Sequence, residues 1–149
     1  MPESITLPTA EVLLREHLAL ITHDHQRWLA LFADDAVVEF PYAGSLGRST
    51  RLEGKAAIDE YFGGASPVFL ELAFRDVRVH VSTEPGLVVA EAHGSARIAT
   101  TGKAYEQDYV MVLEVKEGKI ARYREYWNPL PAIDALGGLG GLAKLGISS

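Results

Sequence analysis

The spacing of apolar residues changes once along this chain, near residue 70, and this change limits the folds that the chain can adopt. Before it, apolar residues recur at helical spacing, whereas after it apolar and polar side chains alternate with a period of two. The breaks EPG and KEGK are typical of tight turns between neighbouring strands. The second half is therefore predicted to be an antiparallel meander of four strands, at residues 70–82, 86–99, 104–115 and 119–127.

The first half predicts three helices and one strand. Thr9 is the expected N-cap of the first helix, and Gly63 and Gly64 are expected to end the third. A short helical piece is expected in NPLPAIDALGG, after the last strand. This order predicts an α+β domain whose helices pack on one side of a curved, mostly antiparallel sheet. The helices are placed at 8–21, 24–35 and 54–64, the strand at 36–42, and a polar Gly-rich loop at 43–54.

The length of 149 residues fits one domain. We place this domain at residues 1–136, followed by a Gly-rich tail at residues 137–149. The glycines of the tail do not indicate a phosphate loop, because no strand leads into them and the GK[ST] sequence is absent.

Composition and charge exclude several classes of function. The formal net charge of −6 argues against nucleic acid or an anionic membrane surface as a partner. The chain has no cysteine, which excludes disulfides, thiol nucleophiles and Cys-based metal sites. The start of the sequence does not have the pattern of a signal peptide, and no apolar run approaches 18 residues. We therefore expect a cytoplasmic protein.

The alternation of side chains predicts which face of the sheet is inside. In the strand at 104–115 the odd positions are the more apolar, so they should face the helices. The same parity in the last strand places Glu125 on the inner face, near Tyr109 and Met111. The even positions of the strand at 86–99 are small and apolar, which leaves room between sheet and helices. Room, a carboxylate and aromatic side chains together predict a ligand cavity.

Glu125 is the first candidate for chemistry. A carboxylate on an apolar strand face is costly to ionise, so its pKa should rise toward neutrality. A glutamate with such a pKa is suited to transfer protons at pH 7. The structural alternative is that Glu125 pairs with Arg97, Arg122 or His17 and only stabilises the fold.

Other candidates surround Glu125 in the predicted cavity. His17, on the inner face of the first helix, is suited to orient Glu125 or polarise a carbonyl group, and tyrosine hydroxyls are suited to stabilise an oxyanion. The predicted catalytic residues are Glu125, His17 and Tyr109, and the predicted substrate-binding residues are Trp127, Tyr123, Phe40, Tyr42, Met111, Trp28 and Asn128. Each has a structural alternative: a histidine on an apolar helix face is commonly a satisfied core residue, the aromatics can be core, and Asn128 can simply end its strand.

A metal site is not expected. His23 and His25 are close together in THDHQ, but no third ligand follows at a motif spacing.

Three quoted stretches carry a family resemblance: LFADDAVVEFPY, LEGKAAIDEYF and EGKIARYREYWNPL. Over residues 9 to 136 the chain resembles the SnoaL-like branch of the nuclear transport factor 2-like superfamily, which includes ketosteroid isomerase. The resemblance implies a cone-like α+β barrel. The nearer similarity is to the phenazine-biosynthesis A/B proteins, in which the matching glutamate of the last strand is the proposed acid/base. That match gives Glu125 the same role.

The sequence also departs from these relatives. Phe40 and Met111 stand where ketosteroid isomerases have their two aspartates, and His17 stands near their oxyanion tyrosine. Tyr61 and Ala65 stand near the histidine and serine of the phenazine proteins. The resemblance therefore supports the fold and Glu125, and it argues against the ketosteroid reaction itself.

Two functions from different classes follow. The first is a cofactor-free acid/base enzyme, an isomerase, cyclase or dehydratase acting on a small hydrophobic, cyclic or polyketide-like secondary metabolite. The second is a binding module of the same fold without turnover. In both cases we expect a homodimer formed through the outer face of the sheet, where Glu91, His93, Ser95 and Arg97 make a mixed polar surface.

Overall fold

A computed structural model gives the structure over residues 6–65 and 67–138. The first part of the chain contributes helices α1 and α2, strand β1, a short 3-10 helix, strand β2 and helix α3. The second part contributes strands β3 to β6 and helix α4. Their bounds are Ala10–Leu20, His25–Leu29, Phe32–Glu39, Ala43–Leu46, Arg51–Glu53 and Lys55–Ala65, then Phe69–Val81, Leu87–Ile98, Ala104–Lys116, Lys119–Trp127 and Pro129–Ala135.

The six strands form one sheet in the order β2-β1-β6-β5-β4-β3. Strands β3 to β6 pair antiparallel as a meander, and β1 pairs parallel with β6. The predicted α+β fold is therefore confirmed, with one parallel pair in an otherwise antiparallel sheet. The predicted β5–β6 turn is a two-residue turn in which Glu117 and Gly118 both have positive φ, as the twist of a hairpin favours.

The sheet is curved where β3 is irregular. Its pairing with β4 shifts register between Leu70 and Ala73 and again between Arg75 and Arg78. Glu71 and Asp76, which lie in these two gaps, have φ angles of 57° and 54°. Such bulges bend a strand and increase its twist. The bend gives the sheet a concave face toward the helices.

Three predicted boundaries were wrong. The second helix, predicted to reach residue 35, ends at Leu29, and β1 already begins at Phe32. Trp28 and Phe32 belong to one apolar run that is compatible with a helix or a strand. The loop at 43–54 contains the 3-10 helix and the three-residue strand β2, which is too short to leave a periodic pattern. Gly63 and Gly64 do not end α3, which continues to Ala65. The N-cap was predicted correctly: Thr9 Oγ1 accepts a hydrogen bond from the Val12 amide.

The main core lies between the helices and the inner face of the sheet. Helix α1 buries Leu13, Leu14, His17 and Leu18. The even positions of β4 and most odd positions of β5 are buried, as the alternation predicted. A second, smaller cluster forms where α4 packs near β5. Its buried members are Ala96, Ile98, Tyr105, Ala132, Ala135 and Leu136.

The division into a domain at 1–136 and a tail at 137–149 stays a prediction, and residues 139–149 lie outside the described part of the chain. Within the described ranges, none of the helices has the length and apolar character needed to cross a bilayer.

Candidate functional site

A cavity of about 660 Å³ opens between the main core and the smaller cluster under α4. Its wall is mostly apolar and aromatic, with a few polar groups, which is the usual make-up of a small-molecule site. The sheet supplies Phe69, Phe74, Tyr105, Tyr109, Glu125 and Trp127. The segment after β1 supplies Phe40, Ala43, Leu46, Arg48 and Ser49. The remaining wall comes from the helices and the residues next to them: Thr22, His23, Asp24, His25, Tyr61, Phe62, Ala132 and Leu136.

Glu125 lies on the wall of this cavity, on the inner face of β6. The Tyr123 hydroxyl donates a hydrogen bond to Glu125 Oε1 at 2.9 Å, and the Trp127 indole is a second donor to the carboxyl. Both donors are two residues away on the same strand, so the alternation of β6 itself brings the three side chains to one face. The arginines considered as partners pair elsewhere, Arg97 with Glu71 and Arg122 with Glu39.

The environment of Glu125 changes its protonation. Burial raises the pKa of the Glu125 carboxyl to about 7, and the hydrogen bonds from Tyr123 and Trp127 oppose that rise. Burial is the larger effect because an ionised carboxylate loses its hydration in this enclosure. At neutral pH the carboxyl can therefore both accept and return a proton.

Two tyrosines of β5 lie beside this carboxyl. The hydroxyls of Tyr105 and Tyr109 are 3.4 Å apart. Burial raises the pKa of both phenols, and the carboxyl of Glu125 adds to the rise. They therefore stay protonated at neutral pH and are suited to donate hydrogen bonds to a ligand oxygen.

Gln107 fixes the end of β6 next to these tyrosines. Its Oε1 accepts the Asn128 amide hydrogen at 3.1 Å, and its Nε2 donates to the Asn128 carbonyl at 2.7 Å and to the Tyr105 hydroxyl at 3.1 Å. The two backbone contacts determine the orientation of the amide, so Nε2 must face Tyr105. Gln107 is 2% exposed and therefore acts from behind the cavity wall.

A third phenol comes from helix α3. Tyr61 stacks on Phe40 with ring centroids 5.0 Å apart. Burial raises the pKa of Tyr61, the carboxyl of Glu125 adds to the rise, and the guanidinium of Arg48 opposes it. The Tyr61 hydroxyl is therefore within electrostatic reach of both the carboxyl and the arginine.

The structure places His17 outside the cavity wall. His17 is 1% exposed, and its Nδ1 accepts a hydrogen bond from the Trp28 indole at 2.8 Å. Burial lowers the pKa of His17 to about 3, so the ring is neutral at physiological pH. Trp28 packs against Phe32 and Phe62 in the core. The predicted positions of His17 and Trp28 in the cavity were wrong, because the apolar face of α1 closes on the indole instead.

Four further predicted residues also lie off the cavity wall. Tyr123 is fully buried behind Glu125, and Met111, paired with Glu125 across the strands, fills the core. Tyr42 is 50% exposed and packs edge-on against Tyr126. Asn128 caps α4 by accepting the Leu130 amide hydrogen. Of the ten predicted site residues, the structure brings Glu125, Tyr109, Trp127 and Phe40 together on the cavity wall.

The small residues of β4 do not simply leave empty space. A Cβ at Gly94 would come within 2.7 Å of Tyr109 Cε2 and 3.2 Å of Phe74 Cε1. The glycine therefore lets the rings of Tyr109 and Phe74 approach the strand, and this approach shapes the cavity wall.

Several site residues were not singled out from the sequence. Tyr105 shares the odd parity of Tyr109, so the alternation was a signal that could have identified it. The position of Tyr61, near that of the phenazine proteins' histidine, was the signal that could have identified it. Arg48 lies in an irregular segment without periodicity, and no sequence signal indicated its position.

Two histidines, His23 and His25, line the cavity. His25 Nε2 contacts the Asp59 carboxylate, while Asp24 caps α2 by accepting the Arg27 amide hydrogen. In residues 6–65 and 67–138, no three side chains of the metal-binding types are grouped as ligands.

Comparison with known proteins identifies the family of this chain. The model of the SnoaL-like domain matches residues 14–123. An uncharacterized PhzA/B-like protein of Pseudomonas aeruginosa is 36% identical over 135 residues, which cover 91% of this chain and 94% of that protein. A crystal structure from Bacillus subtilis, whose name proposes an isomerase, is 38% identical with a TM-score of 0.81 and covers 87% of this chain and 93% of its own.

A more distant structure has the same fold. The phenazine biosynthesis-related protein phzb2 of Pseudomonas aeruginosa superposes with a TM-score of 0.72 at 22% identity, covering 87% of this chain and 88% of that one. The family resemblance inferred from the sequence motifs is confirmed.

Proposed function

The chain belongs to the SnoaL-like domain family, and from that premise we propose that it is a small-molecule enzyme that moves protons within a cyclic, largely apolar substrate. The reaction class is isomerisation, cyclisation or dehydration, with a polyketide-like metabolite as substrate and no cofactor. The observation that carries the proposal is Glu125: a carboxyl with a pKa of about 7 on the wall of an apolar cavity. The names of the relatives agree with such chemistry without specifying the reaction.

The proposed step uses the groups already described. Ionised Glu125 takes a proton from a carbon next to a carbonyl group, and the electron pair of that C–H bond moves to the carbonyl oxygen. The phenols of Tyr109, Tyr105 or Tyr61 donate hydrogen bonds to the oxygen as it becomes negative. The protonated carboxyl then returns the proton to a second carbon, or to a leaving hydroxyl group. No atom is gained or lost in the isomerisation.

A proton-exchange assay tests this proposal without knowledge of the natural substrate. Indan-1-one and 1-tetralone are incubated with the protein in D₂O, and loss of the signal of the hydrogens next to the carbonyl is followed by proton NMR. We expect the protein to accelerate exchange above the buffer rate, and Glu125→Gln to remove most of that acceleration. Glu114→Gln, which changes a carboxylate 40% exposed on the outer face of β5, is the matched control.

Binding of the ketones without faster proton exchange would favour the second function. If these ketones shift cavity resonances in a protein NMR titration but exchange no faster than in buffer, the chain is a binding module of the same fold. A cytoplasmic location and the pairing of two copies through the outer face of the sheet stay predictions.

A further inference from the structure

We propose that Gln107 is a positioning residue of the site, and that it holds the Tyr105 hydroxyl as the hydrogen-bond donor to the carbonyl oxygen of the ligand. The inference rests on the proposed function only in placing a carbonyl-bearing ligand in the cavity. It selects one of the three phenols named for the proposed step, and it gives Gln107 a role that acts through Tyr105 rather than on the ligand.

The orientation of the Gln107 amide is set by the backbone at the end of β6. The Asn128 amide donates to Oε1, and the Asn128 carbonyl accepts from Nε2. A flipped side chain would place donor against donor and acceptor against acceptor at these two contacts. Gln107 is 2% exposed, so bulk water does not replace a lost partner. The second hydrogen of Nε2 is therefore donated to the Tyr105 oxygen, at 3.1 Å.

The Tyr105 oxygen meets a second hydroxyl, that of Tyr109, at 3.4 Å. Burial raises the pKa of both phenols, while the contact between them lowers the pKa of Tyr105 and raises that of Tyr109. A hydrogen bond has these opposite effects when Tyr109 is the donor and Tyr105 the acceptor. With two hydrogens directed at its oxygen, Tyr105 donates its own hydrogen in a third direction.

That hydrogen can meet a ligand in the cavity, because Tyr105 is part of the wall. The ring is held on another side by Phe69, with centroids 5.4 Å apart. The carboxyl of Glu125 adds to the rise in the pKa of Tyr105, so the two groups are within electrostatic reach. The hydrogen bonds from Gln107 and Tyr109 stabilise negative charge on the Tyr105 oxygen, which makes this phenol the stronger donor to a carbonyl oxygen.

A labelled ketone tests this donor directly. The carbonyl carbon resonance of a ketone moves downfield when its oxygen accepts a hydrogen bond. 1-Tetralone carrying carbon-13 at the carbonyl is titrated with the protein, and the resonance is extrapolated to saturation. We expect a downfield displacement from its position in cyclohexane, of which Tyr105→Phe should lose at least half. Gln107→Met should lose a smaller part and keep the dissociation constant within about threefold, which also shows that the cavity is intact.

A double substitution separates positioning from a purely structural effect. Gln107→Met should leave the displacement unchanged when it is added to Tyr105→Phe, because Gln107 acts only through that hydroxyl. Asn128→Ala, which removes the side-chain cap of α4 at the same junction, is the control and should keep the full displacement. An equal loss from Gln107→Met with and without the Tyr105 hydroxyl, a larger loss in Tyr109→Phe than in Tyr105→Phe, or no bound ketone would each overturn the proposal.

This test can fail independently of the proposed reaction. The displacement is measured in the bound ketone, so it does not require Glu125 to transfer a proton. A displacement that depends on Tyr105 and Gln107 in a protein without proton exchange would retain this inference and remove only the chemistry. Accelerated exchange with a displacement that neither residue affects would retain the chemistry and remove this inference.

Discussion

His17 and Glu125 are both enclosed, titratable side chains of the interior, and both contact Tyr123. The ring of Tyr123 packs against His17 with centroids 4.5 Å apart, while its hydroxyl donates to Glu125. Burial shifts both pKa values toward the neutral form, down for the histidine and up for the carboxyl. Only Glu125 also lines a cavity and has a pKa near 7.

This difference shows that burial alone does not make a catalytic group. His17 accepts the hydrogen bond of Trp28 and is enclosed by aromatic rings, so it has no ligand to act on. Glu125 is desolvated by the same kind of packing but meets open space on one side. A proton-transfer site needs both conditions, a shifted pKa and access for a substrate.

Substitution of Glu125 and of His17 should have very different effects on proton exchange. If the proposed function holds, Glu125→Gln should lower the protein-dependent exchange rate at least about a hundredfold, the usual contribution of a general acid/base. His17→Gln should change it by less than about threefold, because the glutamine can still accept the Trp28 hydrogen bond and the carboxyl of Glu125 is untouched. The proton-exchange assay measures both, and an equal loss in the two variants would contradict the distinction.

The next effect concerns stability against pH. The Glu125 carboxyl has a higher pKa in the folded than in the unfolded chain. The folded state therefore binds more protons between about pH 4.5 and 7, and the contribution of this group to the free energy of unfolding rises as pH falls. His17 has a lower pKa in the folded chain, so its stabilising contribution is lost as pH falls below 6.5. Between pH 5 and 6.5 the two contributions oppose each other in the unmodified protein.

Single substitutions should reveal each contribution. Relative to the unmodified protein, the free energy of unfolding of Glu125→Gln should fall toward acid by up to about 1.4 kcal/mol per pH unit in this window. The free energy of unfolding of His17→Gln, also relative to the unmodified protein, should rise toward acid pH with a similar slope. Urea unfolding at pH 5, 5.5, 6 and 6.5 measures the slopes, and parallel curves for all three proteins would show that neither pKa is shifted.

The smallest effect tests the residue that joins the two regions. Tyr123→Phe keeps the ring beside His17 but removes the hydrogen bond that lowers the Glu125 pKa. The pH midpoint of proton exchange should therefore move above its starting value, by about one unit or less. Tyr126→Phe, on the outer face of the same strand, is the control. A midpoint that moves toward acid would contradict the direction of this contact.

The sequence predicted the fold and the central carboxylate because both depend on local alternation. Strand parity placed Glu125 and Tyr109 on the inner face, and the meander followed from four periodic segments. It did not predict that His17 packs on Trp28, because helical spacing places a residue on a face without identifying the neighbour. Nor did it indicate Arg48, whose position depends on a 3-10 turn and a left-handed glycine rather than on a repeating pattern.

Glu125 is expected to titrate near neutrality inside an accessible cavity. Its pKa can be measured by carbon-13 NMR titration of the glutamate side-chain carboxyls, with Glu125→Gln used to assign the resonance. The structure predicts a midpoint at about pH 7. A midpoint near 4.5, the ordinary value for a glutamate, would show that Glu125 is not a proton-transfer group poised for neutral pH.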